Sequence, residues 1–295
     1  IKGSHFVAPF IAKNVTENSS CFQNELFGPH LSIMEVDDLH EAVELANKVS
    51  FGLTSGIESL NEKEIEYWKN NIQSGNLYIN RSTTGAIVKR QPFGGIKLSS
   101  FGPGMKAGGK NYLLQFLHHA MNIELENSFL YAQKSFEYWK DELFDKELDE
   151  VKIRGQANTS KYLKPDQVLI LISTDTLSKK LNLVKLACKT LDINYTVFST
   201  SEILEPKDEQ RVIINNWQEI TKTLNWNTRI RSLTNSLPQE FKRLIKTNGH
   251  HIYEREPIPH GRIELLNYLQ EQSISHSYHR YGNLMGKEDN NIVIK

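Results

Sequence analysis

Two short apolar runs, residues 6–11 and 31–36, are separated by polar text, and both have the length and composition of strands. Asp37 and Asp38 stand where a helix cap belongs. Leu39, Val43, Leu45 and Ala46 then supply an apolar face at helical spacing, ended by Phe51-Gly52-Leu53. A second helix is predicted from about Glu62 to Ile72, and Gly75 introduces a short strand, Asn76-Leu77-Tyr78-Ile79-Asn80. This strand–helix–helix–strand rhythm predicts an α/β domain.

The texture changes over residues 81–111, where Gly85, Gly94, Gly95, Gly102, Gly104, Gly108 and Gly109 interrupt any helical period. Such a run is costly in backbone entropy, so it serves close approach of the backbone to something. A helical pattern rich in aromatics and charge returns over residues 112–150, and 155–165 reads as a linker. A second unit follows. Its predicted strands are 168–172, 195–198 and 212–214, and its predicted helices are 176–191, 239–246 and 263–270. The alternation predicts a small Rossmann-like module. Its first strand-to-helix turn, Ser173-Thr174-Asp175-Thr176, holds no glycine, so a pyrophosphate could not approach the backbone as in a dinucleotide fingerprint. The module is therefore read as kept for shape rather than for binding.

Composition narrows the function classes. Lys plus Arg is 35 and Asp plus Glu is 35, so no positive field exists to hold a nucleic-acid backbone. No apolar run approaches the ~18 residues of a membrane span, and no signal-peptide pattern opens the chain. The two cysteines, Cys21 and Cys188, are far apart, which argues against a disulfide framework and for a reducing compartment. Asn-X-Ser/Thr triplets at Asn14 and Asn158 carry little weight in an Asn-rich chain. The adjacent pairs His118-His119 and His250-His251 diverge on any regular element, so no metal site is assigned. Residue 1 is Ile, and the chain reads as a fragment or a processed product.

Two constellations can carry chemistry. In Glu25-Leu26-Phe27-Gly28-Pro29, an acid precedes an aromatic and a tight turn. Alone this is most often an ordinary turn; functionally it offers a carboxylate for ribose hydroxyls and an aromatic face for a flat ring. The second runs from Asn80 to Gly95. There Gly85-Ala86 leaves two backbone N–H groups free to face an anion. Phe93, between Pro92 and two glycines, can wall an apolar channel, although a packed core aromatic is the commoner role.

The motifs Glu25-Leu26-Phe27-Gly28-Pro29, Gly75-Asn76-Leu77-Tyr78-Ile79-Asn80-Arg81 and Gln91-Pro92-Phe93-Gly94-Gly95 together resemble the C-terminal third of the aldehyde dehydrogenase superfamily. Thr84-Gly85-Ala86-Ile87-Val88 and Gly102-Pro103-Gly104-Met105-Lys106-Ala107-Gly108-Gly109 resemble its glutamate-γ-semialdehyde (pyrroline-5-carboxylate) dehydrogenase branch, which includes the bifunctional proline utilisation A proteins. The resemblance implies NAD-dependent oxidation of L-glutamate γ-semialdehyde to L-glutamate. By position it implies that Glu25 holds the cofactor ribose and Phe27 lies beside the nicotinamide ribose. It likewise implies that Gly85 and Ala86 hold the substrate α-carboxylate and that Phe93 flanks its aliphatic chain. Two alternatives remain: an aldehyde dehydrogenase of another substrate, or a non-catalytic scaffold derived from the family.

The segment Gly261 to Ser275, with Tyr278-His279-Arg280-Tyr281-Gly282-Asn283-Leu284, resembles the C-terminal motif of the longer proline utilisation A proteins. In those, a Rossmann-like extra domain and a terminal segment cover a cavity joining two active sites. Without the resemblance, this tail reads as an amphipathic helix with an aromatic, basic end. The implied domains are 1–120, the C-terminal part of the dehydrogenase fold; 121–165, a helical connection and linker; 166–275, a non-catalytic Rossmann-like module; and 276–295, a covering tail. The family's nucleophilic cysteine lies well upstream of the Glu25 motif, so no catalytic residue is assigned and the chain alone is expected to be inactive. Cys21 is in the wrong place for it, and Cys188 falls on the apolar face of a helix. NAD is the implied cofactor, with FAD only if a proline dehydrogenase domain lies upstream. The implied setting is a homo-oligomer in the cytoplasm, or in the mitochondrial matrix of a eukaryote.

Overall fold

The computed structural model describes residues 6–100, 102–119, 128–174, 176–200 and 211–279. The first apolar runs form a two-stranded parallel ribbon, β1 (Phe10–Ala12) and β2 (His30–Ser32), with the short helix α1 (Ser20–Gln23) between them. Both strands are shorter than predicted.

Helix α2 (Leu39–Lys48) starts where its cap predicts: Glu41 N donates to Asp38 Oδ1 at 2.9 Å, and Glu41 Oε2 accepts from Asp37 N at 2.7 Å. β3 (Phe51–Gly52) and β4 (Thr54–Ile57) follow, then α3 (Glu62–Asn71), capped by Asn61, and β5 (Asn76–Ile79). Val43, Trp68, Ile72, Leu77 and Ile79 pack into one small core. The glycine-rich span holds only β6 (Ile96–Lys97), paired antiparallel with β3.

The region predicted as helical over 112–150 is mixed. It contains a 3-10 turn (Tyr112–Phe116), α4 (Ser128–Trp139), a π turn (Lys140–Phe144) and β7 (Leu148–Asp149). The span read as a linker is instead an eight-residue strand, β8 (Gln156–Leu163). Gln-Ala-Asn-Thr-Ser-Lys carries no aliphatic period, so its strand character comes from pairing rather than from side-chain patterning.

The second unit forms its three predicted strands and first two predicted helices, and adds two strands that were not predicted, β12 and β13. β9 (Gln167–Ile172), α5 (Ser178–Leu191), β10 (Tyr195–Ser199), β11 (Arg211–Ile213), β12 (Thr228–Ser232), α6 (Gln239–Thr247) and β13 (Ile252–Tyr253) build a parallel sheet of order β11-β10-β9-β12-β13. Val168, Ile170 and Ile172 pack on one face with Leu181, Val184 and Cys188 of α5. Leu169 and Leu171 point to the other face, against Phe241 and Ile245 of α6. A strand buried on both sides needs this continuous apolar run.

The end of the chain departs most from expectation. The helix predicted over 263–270 is only a short turn, α7 (Gly261–Glu264), with a 3-10 continuation (Leu265–Asn267). It is followed by the strand β14 (Gln270–Ser277). β14 lies between β5, to which it is parallel, and β8, to which it is antiparallel, in a sheet of order β4-β5-β14-β8-β7. Most of the proposed covering tail, residues 280–295, lies outside the described residues.

Candidate functional site

Glu25 is exposed and, among the described residues, has no hydrogen-bond or ion-pair partner. It lines a groove with Phe22, Phe51, Ser55, Gln73 and Ser99, between α1 and the starts of β3 and β4. Phe27, two residues on, does not line that groove. Its ring is 91% exposed and its backbone sits at φ 49°. An aromatic residue in the left-handed region is strained, and an apolar ring in water gains nothing, so packing within the described residues does not account for either. A free carboxylate beside an exposed ring matches the donor set for a nucleoside: the carboxylate accepts from ribose hydroxyls, and the ring offers a flat face.

Gly85 and Ala86 lie on an exposed loop, closed at its base by mutual hydrogen bonds of Ile87 and Gln91 at 3.2 and 2.7 Å. Gly85 has φ 111°, a conformation that β-branched residues cannot adopt without strain. Among the described residues, neither the Gly85 N–H nor the Ala86 N–H has a partner. The Gly85 carbonyl does: it accepts from the Tyr78 hydroxyl at 3.1 Å. Burial pushes the Tyr78 phenol up, which keeps it a donor. Lys89 is exposed, whereas Arg90 is pinned through Nε to Gln156 Oε1 of β8 at 2.9 Å.

Phe93 is half-buried and exchanges two backbone hydrogen bonds with Ala107, both at 3.0 Å. The groove at Glu25 is not lined by Gly85, Ala86 or Phe93. The glycines flanking Phe93 serve the protein's own backbone: a Cβ on Gly75 would stand 2.2 Å from Gly94 O and 2.9 Å from Gly95 Cα.

Beneath this loop lies a buried polar network that sequence reasoning did not single out. Lys106 Nζ donates to Asn76 Oδ1 at 3.0 Å and to Gly94 O. Burial depresses the Lys106 ammonium to about 7, against the pull of Glu271. The Lys106 backbone N–H donates to Glu271 Oε2 at 2.8 Å, and Ser273 Oγ donates to Pro92 O at 2.7 Å. Glu271 and Ser273 both belong to β14, so this strand holds the floor of the glycine-rich loop. The only sequence signal was that Lys106 and Gln91 stand inside the glycine motifs.

Cys188 is fully buried in the core, with its thiol pushed up to about 12 by burial and by Glu264. Cys21 is half-buried in α1.

In the second unit, chain order reverses between β9 and β12, the place where such sheets take nucleotides. Here hydroxyl side chains bond across the crevice. Ser173 Oγ donates to Thr234 Oγ1 at 2.6 Å, Ser173 N donates to Thr176 Oγ1 at 3.0 Å, and Thr176 Oγ1 donates to Leu233 O at 3.2 Å. The Ser173 N–H and the Ser173 and Thr176 hydroxyls are thus committed within the unit.

Residues 2–121 match the model of the aldehyde dehydrogenase family. Over 109 residues the chain is 43% identical to 1-pyrroline-5-carboxylate dehydrogenase 2 of Bacillus subtilis (strain 168), covering 37% of this chain and 21% of that protein. Over 110 residues it is 42% identical to 1-pyrroline-5-carboxylate dehydrogenase of the same organism, again covering 37% and 21%. The chain thus spans about a fifth of the length of these curated relatives. Proline Utilization A (PutA) from Corynebacterium freiburgense is similar over far more of it. The TM-score is 0.75 at 32% identity, covering 93% of this chain and 28% of that one. That likeness takes in both units. No helix among the described residues is long and apolar enough to cross a membrane.

Proposed function

We propose that this chain supplies the cofactor-ribose carboxylate and the substrate-carboxylate seat of an NAD-dependent L-glutamate γ-semialdehyde dehydrogenase. The observation that carries this reading is the pair of unpartnered N–H groups of Gly85 and Ala86 on a loop that glycine alone can form. A dicarboxylic semialdehyde has an anion at one end and a reactive carbonyl at the other. Gly85 and Ala86 seat the anion, and half-buried Phe93 walls the aliphatic stem. The names of the relatives matched over this segment support the same substrate.

Glu25 accepts hydrogen bonds from the ribose, and Phe27 packs beside the nicotinamide ribose. When bound, NAD takes up the hydride released on aldehyde oxidation. The nucleophile is not assigned to this chain, which alone forms no NADH from aldehyde. The likeness to a proline utilisation A protein favours a bifunctional parent in proline catabolism, in which FAD would belong to a separate proline dehydrogenase domain.

The test is a ratio measured in the full-length protein. Gly85→Val strains the turn and covers one donor, so kcat/KM for L-glutamate γ-semialdehyde should fall about ten- to a hundredfold, as for a lost hydrogen bond to a charged group. Pentanal, of the same length but without a carboxylate, should be affected little. Equal losses for both substrates would show the loop to be structural and leave the substrate unassigned.

A further inference from the structure

We propose that Tyr78 and Gln91 are positioning residues of the carboxylate seat, and that Ser275 of β14, acting through Arg81 and by its own contact with the amide, sets Gln91. The proposal rests on the reading of Gly85 and Ala86 given above. Tyr78 and Gln91 are both buried, yet each directs a polar group at the same atom, the Gly85 carbonyl oxygen.

The orientation of the Gln91 amide follows from its neighbours. Arg81 has only donors, so it selects the amide oxygen, which accepts from Arg81 Nη2 at 3.2 Å. The amide nitrogen then faces the Gly85 carbonyl and donates to it at 3.0 Å. The reverse orientation would let the amide nitrogen donate to Ser275 Oγ at 3.1 Å but would set oxygen against the Gly85 carbonyl and nitrogen against the guanidinium. Arg81 is itself fixed, because its Nη1 donates to Ser275 Oγ at 2.6 Å and its guanidinium stacks 5.6 Å from the centroid of the Tyr78 ring. Ser275 Oγ also lies 3.1 Å from the Gln91 amide oxygen and 2.8 Å from Asn158 Oδ1 of β8, with one proton to donate between them. A relay of polar contacts therefore runs from β8 through β14 to one carbonyl of the exposed loop.

That carbonyl decides what the loop presents. A trans peptide holds the C=O of residue i and the N–H of residue i+1 in one plane, pointing in opposite directions. With the Gly85 carbonyl drawn inward by two donors, the Ala86 N–H must face outward. Glycine at φ 111° could rotate this peptide at little cost, so its orientation has to come from such contacts. A seat built on glycine needs an external hold.

The experiment compares L-glutamate γ-semialdehyde with pentanal in the full-length protein carrying Tyr78→Phe, Gln91→Glu or Ser275→Ala. Tyr78→Phe deletes one donor with almost no change of volume. Gln91→Glu keeps a partner for Arg81 but turns an acceptor toward the Gly85 carbonyl. Each of these two should cost the semialdehyde roughly three- to tenfold in kcat/KM, mainly as a raised KM. Pentanal should stay within about twofold of wild type, and Ser275→Ala should follow in the same direction with a smaller change. Should Gln91→Glu not fold, Tyr78→Phe and Ser275→Ala carry the test. Wild type without preference for the semialdehyde would overturn the seat and this proposal together. A preference left intact by Tyr78→Phe, or equal losses for both aldehydes, would overturn the positioning role and leave the seat standing.

Discussion

At the scale of single residues, the environment of a side chain decides more than its identity. His251 packs edge-on to Tyr253, with ring centroids 4.6 Å apart, among Arg229, Lys246 and Arg255. Burial and these three positive charges, opposed only by Glu254, hold its imidazole down to about 4. The folded protein keeps this ring neutral where an unfolded chain would protonate it near 6.5. The stability that follows is complete above pH 6.5 and is lost as pH falls toward 4. His251→Gln should abolish that term. Relative to wild type, the variant should gain in urea midpoint as pH drops from 7 to 4.5; a difference that does not move with pH would show that His251 does not titrate there. By contrast Cys21 and Cys188, the residues most tempting to a reader of aldehyde chemistry, are respectively half-buried in a four-residue helix and sealed in a core.

At the scale of elements, what could be read in the sequence was whatever local patterning specifies. α2 and α3 carry caps and amphipathic faces, and β9 carries an apolar run, so their positions were legible to within a few residues. β8 and β14 were not. Gln270–Ser277 has one aliphatic residue, Ile274, and nothing in its own composition asks for a strand. Its backbone is satisfied by partners far away in the chain, and no window of sequence contains them. The candidate site divides in the same way. Glu25, Phe27, Gly85, Ala86 and Phe93 stand in recognisable motifs, whereas the roles of Tyr78, Gln91 and Ser275 depend on contacts that only the fold creates. The glycine-rich span was correctly read as a place of close approach, but much of that approach is internal. Gly75→Ala should therefore clash with backbone at Gly94 and Gly95, which cannot swing aside like a side chain. A destabilisation of about 1–3 kcal/mol is expected from such overpacking. It should appear as a lowered urea midpoint with unchanged slope, and an unchanged midpoint would mean that the β5 start gives way freely.

For the whole molecule, the issue is how many nucleotide sites two α/β units make. The second unit has a Rossmann-like sheet, and at its switch point the Ser173, Thr176 and Thr234 hydroxyls are engaged with one another or with backbone in place of a glycine-rich turn. Titration of the full-length protein should therefore find one NAD per chain. Glu25→Ala should weaken that site about ten- to a hundredfold through loss of charge-assisted bonds to ribose, while Ser173→Ala leaves it unchanged. A second saturable site, or a Glu25→Ala protein with wild-type affinity, would overturn this assignment. The position of β14 bears on a different question, the order in which the molecule can be assembled. Ser273 pairs with Asn76, and their side chains bond across 197 residues of sequence. During synthesis β5 is made long before its neighbour exists, and must wait with one edge open until nearly all of the second unit has emerged. So distant a pairing is entropically late. The glycine loop that rests on β14 would then acquire its final shape only after this late pairing, which makes the candidate site a marker that β14 has docked.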